Sequence, residues 1–190
     1  MRFEDFEEKT IVRKEIYDGK IIKVAVDKVE LPNNAGTSYR ELVFHPGGVC
    51  VVPITKEGKI VLVEQFRKPL EKVILEIPAG KLEKGEAADL ENAAKRELEE
   101  ETGYKPGNFY KLTETVMSPG FCDEELHIYM ATDIEKVENP REMDEDEVIV
   151  VYELTLEEAK QAKKDGRICD AKTEIGLMAW EMELLRKANQ

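Results

Sequence analysis

Residues 79–104 read AGKLEKGEAADLENAAKRELEEETGY, and the second half of this stretch decides the fold. From Asp89 to Thr102, Leu90, Ala93, Ala94 and Leu98 recur at helical spacing on one face, with Asp89 placed to cap the start and Gly103 to stop the end. A different stripe of the same helix carries Glu97, Glu100 and Glu101 at offsets of three and four. Upstream, Val49–Ile54, Ile60–Phe66 and Val73–Ile77 are short apolar runs punctuated by Gly, Lys and Pro, which predicts three strands. Downstream, Leu112–Val116, Leu126–Ala131 and Val148–Leu154 return to strand character, with an acidic loop, Glu135–Glu147, before the last. Thr155 caps a predicted helix to about Lys164, and Thr173–Lys187 carries Ile175, Leu177, Met178, Met182 and Leu185 in amphipathic order. The pattern predicts an α/β fold, a mixed sheet sandwiched between helices.

Before this body, Ile22, Val24 and Val26 alternate with polar residues between Gly19 and Leu31, and a second strand is expected over about Tyr39–His45. These two form a hairpin-like N-terminal β arm, residues 1–46, ahead of a main domain over 47–190. With 42% hydrophobic and 36% charged residues the chain reads as globular. Its net charge of −13 repels polyanions, so neither nucleic acid nor an anionic membrane is expected as a main partner. The acidic first ten residues do not resemble a signal peptide, and no apolar run has membrane-spanning length. Cys50, Cys122 and Cys169 are scattered and odd in number, which suits a reducing cytoplasm.

Three carboxylates gathered on one helix face repel one another, and a cation that neutralises them removes the cost. Oxygen ligands of this kind select Mg²⁺, with Mn²⁺ the other candidate, over zinc. A solvated acidic surface is the other reading of such a run. Gly80 weighs against it, because a residue without a Cβ lets backbone approach a phosphate or metal closely.

The stretch Ala79–Glu86 followed by Arg96-Glu97-Leu98-Glu99-Glu100-Glu101-Thr102-Gly103-Tyr104 resembles the Nudix box. One departure stands out: nine residues rather than seven separate Glu86 from Arg96, the extra pair being most simply Ala87-Ala88. Glu86, which in the family braces the loop against the helix, is therefore held out of the site. The resemblance implies that the carbonyl of Ala79, Glu97 and Glu101 are metal ligands, with Glu100 contributing directly or through water. It makes Arg96 a brace that orients the carboxylates.

The rest of the chain resembles the ADP-ribose pyrophosphatase branch of the superfamily. Arg40-Glu41, His45-Pro46-Gly47 and Glu64-Gln65-Phe66-Arg67 match its substrate-binding segments, Ser118-Pro119-Gly120 with Glu124 its terminal-ribose loop, and Gly166-Arg167-Ile168 its C-terminal end. The implied substrate-binding set is Arg40, Glu41, Arg67, Gly80, Ser118, Gly120 and Glu124. In the acidic loop, family register makes Glu145 the catalytic base beside Glu97 and Glu101 and makes Glu147 a further metal ligand, leaving Asp144 and Asp146 as solvated acids. The resemblance implies Mg²⁺-dependent hydrolysis of the small molecule ADP-ribose to AMP and ribose 5-phosphate by a homodimer whose arms exchange. The alternatives are another nucleoside diphosphate compound, such as a sugar nucleotide or NADH, and a non-catalytic nucleotide sensor.

Overall fold

The computed structural model describes residues 2–82, 85–143 and 147–189, which fall into two compact units. The first takes the chain up to Gly47 together with Val116–Glu125; the second takes Gly48–Thr115 and the chain from Leu126 on.

In the first unit, β1 (Lys9–Asp18), β2 (Lys23–Glu30) and β3 (Thr37–Phe44) form an antiparallel sheet in chain order. The expected hairpin is therefore a three-stranded sheet. Its first strand shows no period of two to read, because every residue from Lys9 to Asp18 is exposed and its pairing with β2 shifts register at Thr10/Val12 and Glu15/Tyr17. The phase of β2 also differs from expectation. Ala25, Asp27 and Val29 are its buried face, whereas Ile22, Val24 and Val26 are only partly covered. An aspartate is tolerated there because Arg13 holds both its oxygens, through Nε and Nη2 each at 2.8 Å, and the Thr10 hydroxyl donates to it at 2.9 Å. The segment after Ser118 is tied to the end of β3: Val43 N–H donates to the Phe121 carbonyl at 2.8 Å and Asp123 N–H to the Val43 carbonyl at 3.2 Å.

The second unit carries β4 (Gly48–Thr55), β5 (Ile60–Arg67), β6 (Lys72–Glu76), β7 (Ala79–Lys81), α1 (Leu90–Thr102), β8 (Tyr104–Lys105), β9 (Asn108–Val116), β10 (Glu125–Lys136), β11 (Val150–Leu154), α2 (Leu156–Lys164) and α3 (Ala171–Ala188). Its sheet runs β11-β5-β4-β10-β8, with β6 beside β5, β7 beside β4 and β9 beside β10. β4 and β10 are parallel and the other registered pairs antiparallel, so the sheet is mixed. Every residue of β4 is buried, as a strand covered on both faces requires. Val49 and Val51 pack with Ala93, Ala94 and Leu98 of α1. On the opposite face Val52 meets α3, where a Cβ on Gly176 would lie 2.9 Å from the valine. The sheet thus lies between α1 and α3, as the fold class predicts. No helix among the described residues is long and apolar enough to cross a membrane.

Candidate active site

The strand β7 and the helix α1 build the site. Ala79 and Gly80 pair with Cys50 and Val49 of β4, which fixes their height on the sheet. α1 starts where Asp89 accepts from Asn92 N–H and ends at Gly103, whose φ of 73° is the left-handed conformation of a helix stop. Burial of Ala93, Ala94 and Leu98 sets the rotation of α1, and with it the direction of the glutamate stripe. Glu101 is 3% exposed and accepts the Ala79 N–H at 3.0 Å. Glu97 lies against Gly80: a Cβ added there would fall 1.9 Å from its carboxyl carbon.

Arg96 sits among acids. It contacts Glu86 through Nε at 3.0 Å and Nη2 at 3.1 Å, Glu97 at 2.9 Å and Glu100 at 2.5 Å. Burial works against its charge, yet Glu86, Glu97 and Glu100 outweigh that and raise its pKa. This corrects the treatment of Glu86. Residues Glu86–Ala88 form a 3-10 turn that starts at Gly85, whose φ is 100°, and this turn takes up the longer spacer while returning the Glu86 carboxylate to Arg96.

Burial, foremost, pushes Glu97 up to about 7, Arg96 opposing and Glu100 and Glu147 adding. Glu101 rises to about 8 for the same leading reason, opposed by the Ala79 N–H and raised further by Glu147 and Glu97. The charge of Glu147 therefore acts on both glutamates. Glu145, with Asp144 and Asp146, lies outside the described residues.

These features test whether a divalent cation suits the site. Two carboxylates that burial makes costly to ionise, a third acid acting on both, and a glycine that gives a carboxylate room against backbone offer all-oxygen ligand chemistry of the kind a hard divalent cation takes. The residues fit the group.

The remaining expected residues separate by unit. Arg67 belongs with the sheet; its Nε donates to Glu76 at 2.6 Å, and its charge lowers the Glu101 pKa. Arg40, Glu41, Ser118, Gly120 and Glu124 all belong to the arm unit. There Arg40 is paired with Glu8, and the Ser118 carbonyl accepts from Phe121 N–H at 3.1 Å and Cys122 N–H at 2.9 Å. Glu124 stands 3.7 Å from His45 Nδ1, and Asp123 accepts the His45 N–H at 2.8 Å. The sequence reading did not single out Glu76, Asp170, Lys172 or Thr173. The signal for Glu76 was available: a charged residue inside the apolar run Val73–Ile77.

Residues 44–173 match the NUDIX domain family. The chain belongs to the Nudix family. Over 94% of its length it is 53% identical to the methanol dehydrogenase activator of Bacillus methanolicus, covering 95% of that protein. Over 93% it is 49% identical to the ADP-ribose pyrophosphatase of Bacillus subtilis strain 168, covering 94%. A solved ADP compounds hydrolase shares the Nudix fold at a TM-score of 0.81 and 21% identity, with 96% of each chain covered. Nudix hydrolases work with a divalent metal, in keeping with the donor set on β7 and α1.

Proposed function

We propose that this Nudix chain hydrolyses the diphosphate of ADP-ribose, giving AMP and ribose 5-phosphate, with Mg²⁺ held by the Ala79 carbonyl, Glu97 and Glu101 and assisted by Glu100 and Glu147. The observation that carries it is the meeting of Glu97 and Glu101 at the Ala79-Gly80 backbone, in a chain 49% identical to an ADP-ribose pyrophosphatase. Bound Mg²⁺ supplies positive charge where negative charge develops on the diphosphate oxygens. Arg96 fixes Glu97 and Glu100 for that purpose, as its contacts to both support. Glu145 takes the proton of the attacking water. Water oxygen bonds to one phosphorus, the bond from that phosphorus to the bridging oxygen breaks, and the leaving phosphate departs with the electron pair. Arg40, Glu41, Arg67, Gly80, Ser118, Gly120 and Glu124 bind the substrate, Arg40 and Glu41 across a homodimer formed through the arm, residues 1–46. The cell compartment is the cytoplasm, where an exposed thiol such as Cys169 stays reduced.

Assay of ADP-ribose, a GDP-sugar and NADH with Mg²⁺ tests the reading. ADP-ribose is expected to be the best substrate, and Glu101→Gln to lose at least about tenfold in rate. Full Mg²⁺-dependent turnover by Glu101→Gln overturns the site. Metal-independent binding of ADP-ribose without turnover favours a sensor. The 53% identity to a methanol dehydrogenase activator favours a second reading: action on a dehydrogenase partner, tested by adding methanol dehydrogenase to the assay.

A further inference from the structure

The link between β6 and β7 sets where Ala79 and Gly80 stand, and it is held from the far end of the chain. β6 ends at Glu76 and β7 begins at Ala79, leaving Ile77 and Pro78 between strands. Pro78 has no N–H to give, and its carbonyl accepts Val51 N–H at 3.0 Å. Ile77 is buried, so its N–H needs an acceptor. The acceptor is the Thr173 hydroxyl at 2.9 Å, on a residue that is itself fully buried in the first turn of α3. Two residues earlier on the same edge, Leu75 N–H donates to the Arg167 carbonyl at 2.8 Å. Thr173 N–H is engaged separately, by the Asp170 cap at 3.2 Å, so helix capping leaves the hydroxyl free for Ile77.

A second tie runs beside the first. The 3%-exposed Glu76 divides its oxygens between Arg67 and Lys172, and Lys172, 7% exposed, also reaches Asp170 at 3.0 Å. Burying the Glu76–Lys172 pair, with Arg67 and Asp170 at its partly exposed ends, is costly unless the geometry is tightly matched, and an apolar pair of similar volume often serves stability as well or better. A requirement for position accounts for such a cluster next to Ala79. Gly176, one turn along α3, packs on the same link: a Cβ there would stand 3.5 Å from Ile77, at ordinary contact distance, and 2.9 Å from Val52.

We infer that Thr173 and Lys172 are positioning residues of the active site, fixing through Ile77 and Glu76 the turn that presents Ala79 and Gly80 to Glu97 and Glu101. This rests on the metal seat proposed above, so the test separates the two. Mn²⁺ is titrated, as the free-ion signal in electron paramagnetic resonance, into wild type, Glu101→Gln, Thr173→Val and Thr173→Ser, and kcat and KM for ADP-ribose and the melting temperature are measured alongside. Thr173→Val keeps shape but removes the acceptor. It is expected to weaken Mn²⁺ binding and lower kcat about tenfold with KM unchanged, and Thr173→Ser to restore both. Should Thr173→Val not fold, Lys172→Met is read in its place and Lys172→Arg is its rescue. Wild-type Mn²⁺ affinity and kcat in the valine or methionine variant, whatever its melting temperature, overturns the inference. Mn²⁺ binding indifferent to Glu101→Gln instead removes the metal seat beneath it.

Discussion

Gly80 shows how tightly one residue can be specified. Any side chain there collides with the Glu97 carboxyl, so Gly80→Ala must push that carboxylate away from its place against β7. We expect little lost stability, read from urea unfolding, and a clear loss of Mg²⁺-dependent turnover, because the displaced group is the carboxylate itself. Glu86 makes the complementary case. Its two-point contact with Arg96 predicts that Glu86→Ala lowers kcat/KM about tenfold, with Glu86→Gln less harmful; a variant as active as wild type would show that the brace is dispensable. The glutamates of α1 and the glycine before them were legible in the sequence because helical periodicity converts spacing directly into facing. Glu86 was not, since residues counted along a loop are not a distance and a 3-10 turn can absorb the difference. Glu76, Lys172 and Thr173 stayed hidden for another reason: their partners are nearly a hundred residues away, and each alone reads as an ordinary strand or helix residue.

Among elements, those with uninterrupted period declared themselves. α1 begins and ends at the expected Asp89 and Gly103, and α2 begins at Thr155, where the hydroxyl accepts Glu158 N–H and Glu158 accepts back from Thr155 N–H. Asp89→Ala and Thr155→Ala should each cost about 1 kcal/mol in thermal or urea unfolding. The first should also reduce activity, because fraying at Asp89 loosens the helix that carries Arg96, whereas the second should not. β7 and β8 span three and two residues, too short to show any period, and exist because β4 and β10 offer them edges. β1 is long, but it is exposed throughout and bulged, so no alternation marks it.

For the molecule as a whole, one source of acid sensitivity lies in the arm. The Arg13 guanidinium, with Thr10 and against the cost of burial, holds Asp27 below the usual carboxylate range. A depressed folded-state pKa gives stability that is complete above the unfolded value of about 3.9 and is lost as pH falls through the lower folded value. Asp27→Asn should therefore be less stable than wild type at neutral pH, with the gap closing on acidification; parallel acid-unfolding curves would refute this. The arm also exposes Ile11, Val12, Ile16 and Tyr17 on β1. If it joins two copies, Ile16→Glu should sediment as a monomer, while the wild type sediments as a dimer. Assembly was suggested by likeness to the family alone, because an exposed apolar strand and a poorly covered one read identically in sequence. The parallel pairing of β4 with β10 bears on how the chain is born. Gly48–Thr55 leaves the ribosome long before Leu126–Ile134, its neighbour in the finished sheet, so an apolar strand must wait for that neighbour through more than a third of translation. Slowed elongation or early termination in that interval should leave nascent chains dependent on chaperones and prone to clump.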